Sequence, residues 1–207
     1  MSFRLPKNLP AERIRPFITK MPDPPAPLDL SAVFGRPGPF EVEIGFGKGR
    51  FLINAATEWP QTCFLGVEVR DVLRDYVALR LARDELLNAR VMQADARQFM
   101  HHAIGDGTLR AVHFYFPDPW WKKRHHKRRI WTQDLFRDYE RVLEPGGLLH
   151  LASDVEEVWE TLTALAEQCP NLVRAEDSVL PPLCTTNFED KALRDGRDVG
   201  RTAYRRV

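Results

Sequence analysis

The sequence predicts an α/β fold, a mostly parallel sheet with helices on both faces. Three observations lead there. From Phe40 onward, short apolar runs of strand length alternate with amphipathic stretches of helix length. The first of these runs breaks into a glycine-rich turn, and four of them end in or near an acidic residue. Strands alternating with helices at this spacing require crossover connections, which pair the strands in parallel and cover both faces of the sheet.

The stretch FEVEIGFGKGR, beginning at Phe40, reads as a buried strand turning into a glycine loop, and FLINAATEW continues as a short helix. TCFLGVEV is a second strand. The segment after it places Val72, Tyr76 and Leu79 on one helical face. RVMQAD is a third strand and LRAVHFYF a fourth. TQDLFRDYERVL is a helix stopped by Pro145-Gly146-Gly147, because proline cannot continue the ladder and glycine suits a helix end. LLHLASD forms a fifth strand. After it, Val155, Val158, Trp159, Leu162, Leu165 and Ala166 keep the spacing of a further amphipathic helix. Ahead of Phe40, seven prolines between residues 16 and 39 predict an extended segment, so the chain divides into an arm, 1–39, and one domain, 40–207. No internal repeat is visible.

A chain of 207 residues with 43% hydrophobic residues can bury a single core. No stretch has the length and apolarity of a membrane span, and the amino-terminal residues lack the apolar centre of a leader, so a soluble protein is expected. Cys63, Cys169 and Cys184 are far apart and form no C-x-x-C pair, which fits a reducing cytoplasm. The net charge of +1 conceals a division: residues 120–130 carry +6 and residues 191–207 carry +4, leaving −9 on the remainder. Such a pattern belongs either to a nucleic-acid footprint or to a solvated basic loop and tail.

In a sheet of this kind ligands bind beyond the carboxyl ends of the strands, near the point where strand order reverses. Glu43, Glu68, Asp95 and Asp118 stand at such ends. Any one of them alone serves as a turn former or a helix cap; four together point to a ligand. Gly45, Gly47 and Gly49 are spaced G-x-G-x-G, and Arg50 occupies the place where a dinucleotide fingerprint carries a small residue. A glycine backbone suits close approach by a small nucleoside cofactor without phosphates equally well. Glu68, nineteen residues beyond Gly49, is placed to accept from ribose hydroxyls. The densest signal is FYFPDPWWKKRHHKRR, Phe114 to Arg129. Asp118 is held there between two prolines, Trp120 and Trp121 follow, and eight consecutive residues are basic or histidine. An unstacked base on a tryptophan face gains ~1 to 3 kcal/mol. Lys122, Arg124, Lys127, Arg128 and Arg129 are positioned to hold phosphates, with one of the two tryptophans expected in the core. His125 and His126 have no Cys/His pair in a suitable pattern elsewhere, so no metal is expected.

The stretches EIGFGKG, GVEVR, QADA and FPDPWWKKRHHKRRI, with TTNFEDKALRDGR further on, resemble the bacterial tRNA (guanine-N7-)-methyltransferase family from about Phe40 onward. FPDPW followed by the basic run is the most specific of these motifs. The resemblance implies a Rossmann-like class I S-adenosylmethionine-dependent methyltransferase with a mostly parallel seven-stranded sheet. Its implied reaction is methylation of N7 of the guanosine at position 46 in the tRNA variable loop. It also implies that Glu43, Gly45, Gly47, Gly49, Glu68, Asp95 and Asp118 bind the cofactor, with Asp118 catalytic. Lys122, Asp154, Thr186, Asn187, Phe188 and Glu189 fall where the family binds its substrate. tRNA is the implied partner, for a monomer or a homodimer. Two positions depart from the family pattern: Trp121 stands where proline is usual, and Asn187 where a basic residue is common.

The chemistry agrees with that resemblance. A sulfonium methyl is already activated, and guanine N7 offers an in-plane lone pair and carries no proton, so alignment matters more than a general base. Three other readings stay open at this level. An exocyclic-amine methyltransferase would use an Asp-Pro-Pro-aromatic loop, which DPW partly matches. A dehydrogenase would use the same fold. A purely RNA-binding protein would not need four acids at strand ends.

Overall fold

The parallel pairing expected from the alternating pattern is present, and it extends further than the sequence indicated. The structure, a computed structural model, describes residues 9–120, 124, 129–175 and 185–207. Among the described residues, eight strands form one sheet: β1 (Ile18–Thr19), β2 (Phe40–Ile44), β3 (Cys63–Glu68), β4 (Ala89–Gln93), β5 (Leu109–Tyr115), β6 (Leu143–Ser153), β7 (Leu172–Ala175) and β8 (Gly200–Arg206). Their order is β1-β4-β3-β2-β5-β6-β8-β7. The strands from β1 to β6 pair in parallel, whereas β8 is antiparallel to both β6 and β7. The helices are α1 (Ala11–Ile14), α2 (Leu30–Phe34), α3 (Arg50–Glu58), α4 (Asp71–Arg83), α5 (Ala96–Gln98), α6 (Gln133–Val142), α7 (Glu156–Glu167) and α8 (Asn187–Arg194). None of them is long and apolar enough to cross a membrane.

Seven of the strands lie from Phe40 onward, and the eighth is a correction to the expected count. It comes from the proline-rich segment, where Ile18 and Thr19 pair with Val91 and Met92 of β4. Phe17, Leu30 and Phe34 of the same segment are buried in the core. Prolines exclude long regular elements, yet the residues between them are apolar enough to pack. The basic carboxyl-terminal stretch is likewise more than a tail, since its Gly200–Arg206 inserts between β6 and β7 and buries Ala203 and Tyr204. At the other anticipated break, α6 ends at Val142 as expected, but β6 starts at once. The residues Pro145 to Gly147 form an irregularity in its pairing with β5. Gly147 is required there, because a Cβ would lie 2.9 Å from the Glu144 carbonyl oxygen and 3.0 Å from that of Leu109.

Side-chain alternation along the strands divides the core in two. Val42, Ile44, Leu65, Val67, Val112 and Phe114 face α6 and α7, meeting Leu135, Phe136, Tyr139, Val158 and Leu162. Phe64, Val91 and Tyr115 face α3 and α4, meeting Phe51, Leu52, Val77 and Leu81. On the second face a polar column interrupts the apolar packing. Arg110 donates to Glu41 from Nε at 2.8 Å and to Thr62 Oγ1 at 2.8 Å. His113 lies 2.8 Å from Glu41 through Nε2 and 2.8 Å from the Tyr115 hydroxyl through Nδ1. An ionised carboxylate only accepts, so His113 donates to Glu41 from Nε2 and, when neutral, accepts the Tyr115 proton at Nδ1. His150 stacks on His113 at 5.0 Å with the rings 7° from parallel. Burial, followed by the charge of His113, pushes His150 down to about 3, so it is neutral.

Burial by itself raises the Glu41 carboxyl, but His113 and Arg110 outweigh it and hold the group at about 2. Its contribution to stability is therefore complete above the ordinary value of 4.5 and is lost as pH falls towards about 2. Glu41→Gln is expected to lose about 2 kcal/mol at neutral pH, the scale of a buried charge-assisted hydrogen bond. Urea midpoints measured from pH 7 to pH 3 should show the gap to wild type narrowing below about pH 4.5.

Candidate active site

The chain leaves β2 through the glycine loop. All three glycines are left-handed, with φ of 75° at Gly45, 53° at Gly47 and 68° at Gly49. The Gly45 amide donates to the Val67 carbonyl at 2.8 Å, and the Gly49 amide donates to the Phe46 carbonyl at 2.7 Å, which closes a tight turn into α3. A Cβ on Gly49 would lie 2.7 Å from the Val77 side chain, so its absence lets α4 approach. At Gly45 nothing stands within 4 Å of where a Cβ would be, and the backbone faces open space.

β2 pairs with β3 on one side and β5 on the other, so the reversal of strand order falls at its carboxyl end. The four acids occupy the ends of β4, β3, β2 and β5, which are contiguous in the sheet. Asp95 caps α5, accepting from the Arg97 amide at 2.9 Å and the Gln98 amide at 3.3 Å. Burial raises its carboxyl, but the Arg97 side chain and these amides prevail and lower it. Glu68 accepts from the Gly47 amide at 3.2 Å and the Arg70 amide at 3.1 Å, which ties the glycine loop to β3. Glu43 is different. Only 4% exposed, it receives the Leu52 amide, while its Oε2 is buried without a partner among the described residues. Burial first, then the charge of Glu68, push its carboxyl up to about 8. Asp118 is exposed in the loop after β5. The loop is bounded by Phe116 at φ 47° and Trp120 at φ 44°, left-handed backbone that a non-glycine residue adopts only when its surroundings impose it.

The predicted substrate residues of the carboxyl-terminal segment come to the same place. A cleft is lined by Glu43, Gly45, Phe46, Lys48, Arg50, Phe51, Tyr115, Thr186, Asn187 and Phe188. Thr186 caps α8 by accepting from the Glu189 amide at 3.0 Å. Phe188, 55% exposed, stacks on Phe116 at 6.3 Å. Three ion pairs fasten this region to the sheet and to α3: Glu189 with Arg201, Asp190 with Arg50, and Asp154 with Arg197. Glu189 and Asp154 are thus engaged within the protein. Arg129 donates to the Pro119 carbonyl at 3.0 Å, pairs with Glu157 at 3.1 Å and lies over the Trp131 ring, which braces the loop carrying Asp118. Arg124 is exposed. Trp121, Lys122, Lys123, His125, His126, Lys127 and Arg128 lie outside the described residues.

Sequence reasoning did not place Arg50 or Tyr115 in the site. Arg50 carried a signal, since it displaces a small residue expected in the glycine fingerprint. Tyr115 carried none, because it reads as an ordinary apolar position within the strand LRAVHFYF. The orphaned Glu43 oxygen, the open backbone at Gly45 and the Glu68 carboxylate beside Gly47 fit a small nucleoside cofactor with a cationic end.

A strand order that reverses at a glycine loop, with an antiparallel strand inserted near one edge, defines the class I S-adenosylmethionine-dependent methyltransferase fold. Solved structures of this kind superpose on the chain. The 16S rRNA methyltransferase KamB does so with a TM-score of 0.62 at 14% identity, over 86% of this chain and 93% of its own. Geranyl diphosphate C-methyltransferase from Streptomyces coelicolor A3(2), solved with S-adenosyl-L-homocysteine, gives 0.55 at 16% identity, over 84% and 76%. A family model described as a putative methyltransferase matches residues 37–202. The tRNA (guanine-N(7)-)-methyltransferase of Alkalilimnicola ehrlichii is 40% identical over 88% of this chain and 80% of its own. That of Rhodopirellula baltica is 34% identical over 98% and 79%. The chain belongs to the tRNA (guanine-N7-)-methyltransferase family.

The buried Glu43 has a consequence for stability. Between the ordinary carboxyl value of 4.5 and about 8, the folded protein holds a proton that the unfolded chain has released, so stability falls as pH rises through that window. Glu43→Gln removes the penalty. Thermal melts of the ligand-free variant should lie several degrees above wild type at pH 8.5 and coincide with it near pH 4.5.

Proposed function

We propose that this chain methylates N7 of the guanosine at position 46 in the variable loop of tRNA, using S-adenosylmethionine. The observation that carries this reading is the row of four acids on contiguous strand ends around the glycine loop, with the Asp118 loop leading directly into the basic run. The names of the relatives support the base and the atom.

S-adenosylmethionine supplies a methyl group activated by its sulfonium. The chain's own residues bind and align. Glu68, fixed by two backbone amides, keeps lone pairs for a pair of hydroxyls. Gly45 and Gly47 leave room for a ligand against the backbone. Asp95 presents a carboxylate at the end of β4, and Glu43 receives the cationic end of the cofactor. Asp118, in a loop held by left-handed residues on both sides, accepts from donors on the guanine edge, and its charge offsets the cation that develops on the purine. Because N7 carries no proton, none of these groups acts as a base. Trp120 offers a face to the unstacked base. Lys122, Arg124, Lys127 and Arg128 supply positive charge for the phosphates and Arg129 braces the loop that carries Asp118, while Asp154 and Thr186, Asn187, Phe188 and Glu189 border the place where the base enters. Residues 40–207 carry the methyltransferase site, and the segment before them adds β1 to the same sheet and Phe17, Leu30 and Phe34 to its core. The setting is the cytoplasm.

Two tRNA transcripts test the reading, one with guanosine at position 46 and one with adenosine there. Nucleoside mass spectrometry after incubation with S-adenosylmethionine should find N7-methylguanosine in the first alone, and methylation of both would overturn the positional assignment. Asp118→Ala should lower turnover on the order of a hundredfold or more while leaving tRNA affinity nearly unchanged. Equal losses in both would show that Asp118 grips RNA and does not act on the reacting base.

A further inference from the structure

Two residues of the cleft hold buried polar atoms that nothing in the described protein answers, and the two are opposite in character. Glu43 offers Oε2, an acceptor. Arg50, the first residue of α3, gives Nη1 to Asp190 of α8 but keeps Nε buried and without a partner among the described residues. Both residues line the same cleft. An acceptor and a cationic donor on two residues that line one cleft are complementary to an α-amino-acid zwitterion, ammonium on the acid and carboxylate on the guanidinium. S-adenosylmethionine carries such a group.

The charged and titratable groups around Glu43 decide whether it can be ionised before that ligand arrives. On β3, Glu68 faces it with like charge. On β5, its register partner His113 is engaged by Glu41 and Tyr115. On α3, Arg50 is committed to Asp190, and on α8, Glu189 is committed to Arg201. Burial and the charge of Glu68 raise the Glu43 carboxyl, against the Leu52 amide, which lowers it. A buried acid with no counterion among the described residues keeps its proton, in keeping with a carboxyl raised to about 8.

We propose that cofactor docking is proton-linked: Glu43–COOH gives its proton to solvent as its carboxylate takes the ammonium, and Arg50 Nε takes the carboxylate. The inference rests on the methyltransferase reading above. It makes Arg50 a further binding residue and sets the affinity for the cofactor by pH. It also joins the cofactor to α8, since the guanidinium that meets the ligand is the one that holds Asp190.

Isothermal titration calorimetry of S-adenosylhomocysteine into the full chain, repeated in two buffers of different ionisation enthalpy, counts the protons. At about pH 6.5 an α-amino group is already charged, so release comes from the protein. Wild type should release close to one proton per ligand bound, and Glu43→Gln none. 5′-Methylthioadenosine, which lacks the amino-acid end, should release none from wild type. Arg50→Lys keeps a cation for Asp190 and removes the Nε–H; it should weaken S-adenosylhomocysteine about tenfold or more and leave 5′-methylthioadenosine within about twofold. Binding by wild type without proton release, or unchanged release from Glu43→Gln, overturns the proposal and leaves the cofactor reading standing. Failure of wild type to bind S-adenosylhomocysteine at all overturns both.

Discussion

The pairing of β2 on both of its edges is the constraint from which the rest of the site follows. Because β3 and β5 both run parallel to it, the chain must leave β2 in one direction, build β3 and β4, and then return across to build β5 and β6 on the other side. The two crossovers diverge above the carboxyl end of β2, and the glycine loop occupies the gap between them. Glu68 and Asp118 follow the two strands that flank β2, and Asp95 follows β4, one strand further out. Were β5 to pair elsewhere, Asp118 and the basic loop behind it would have no access to Glu43 and the glycines.

Glu41 and Glu43 are two residues apart on the same strand and point to the same face of the sheet, yet their carboxyl groups are held at about 2 and about 8. Burial acts on both in the same sense. What separates them is company: Glu41 has His113 and Arg110, whereas Glu43 has an amide and another acid. The first acts as a structural rivet. The second is a buried carboxyl shifted away from its ordinary ionisation, the kind of contrast by which binding groups commonly differ from framework groups within one element.

Much of this was legible in the sequence. The strands from Phe40 to β6 and the acids at their ends could be read because apolar runs and punctuating acids are local signals. The meeting of TTNFE with the glycine loop was implied only by resemblance, since no local pattern in residues 186–189 names a partner more than a hundred residues away. β8 was hidden because Gly200–Arg206 carries three arginines and shows no apolar alternation, its buried positions being the adjacent Ala203 and Tyr204. β1 was hidden by prolines, which mark irregular chain without telling whether it packs. The polar column of Glu41, His113 and Tyr115 was beyond reach for another reason: a buried histidine or glutamate in a strand becomes intelligible only when its partners across the sheet are known.

The position of β8 bears on how the molecule is made. It is the latest strand in the chain, but it is an inner member of the sheet, covering β6 on one side and carrying β7 on the other. While a ribosome is still producing residues 200–206, β6 has an open edge and β7 has nothing to pair with, so this side of the sheet closes only once those residues have been released. A nascent chain that stalls or is cut short before that point presents a long unpaired strand edge, the kind of surface on which chains aggregate and which chaperones and proteases engage.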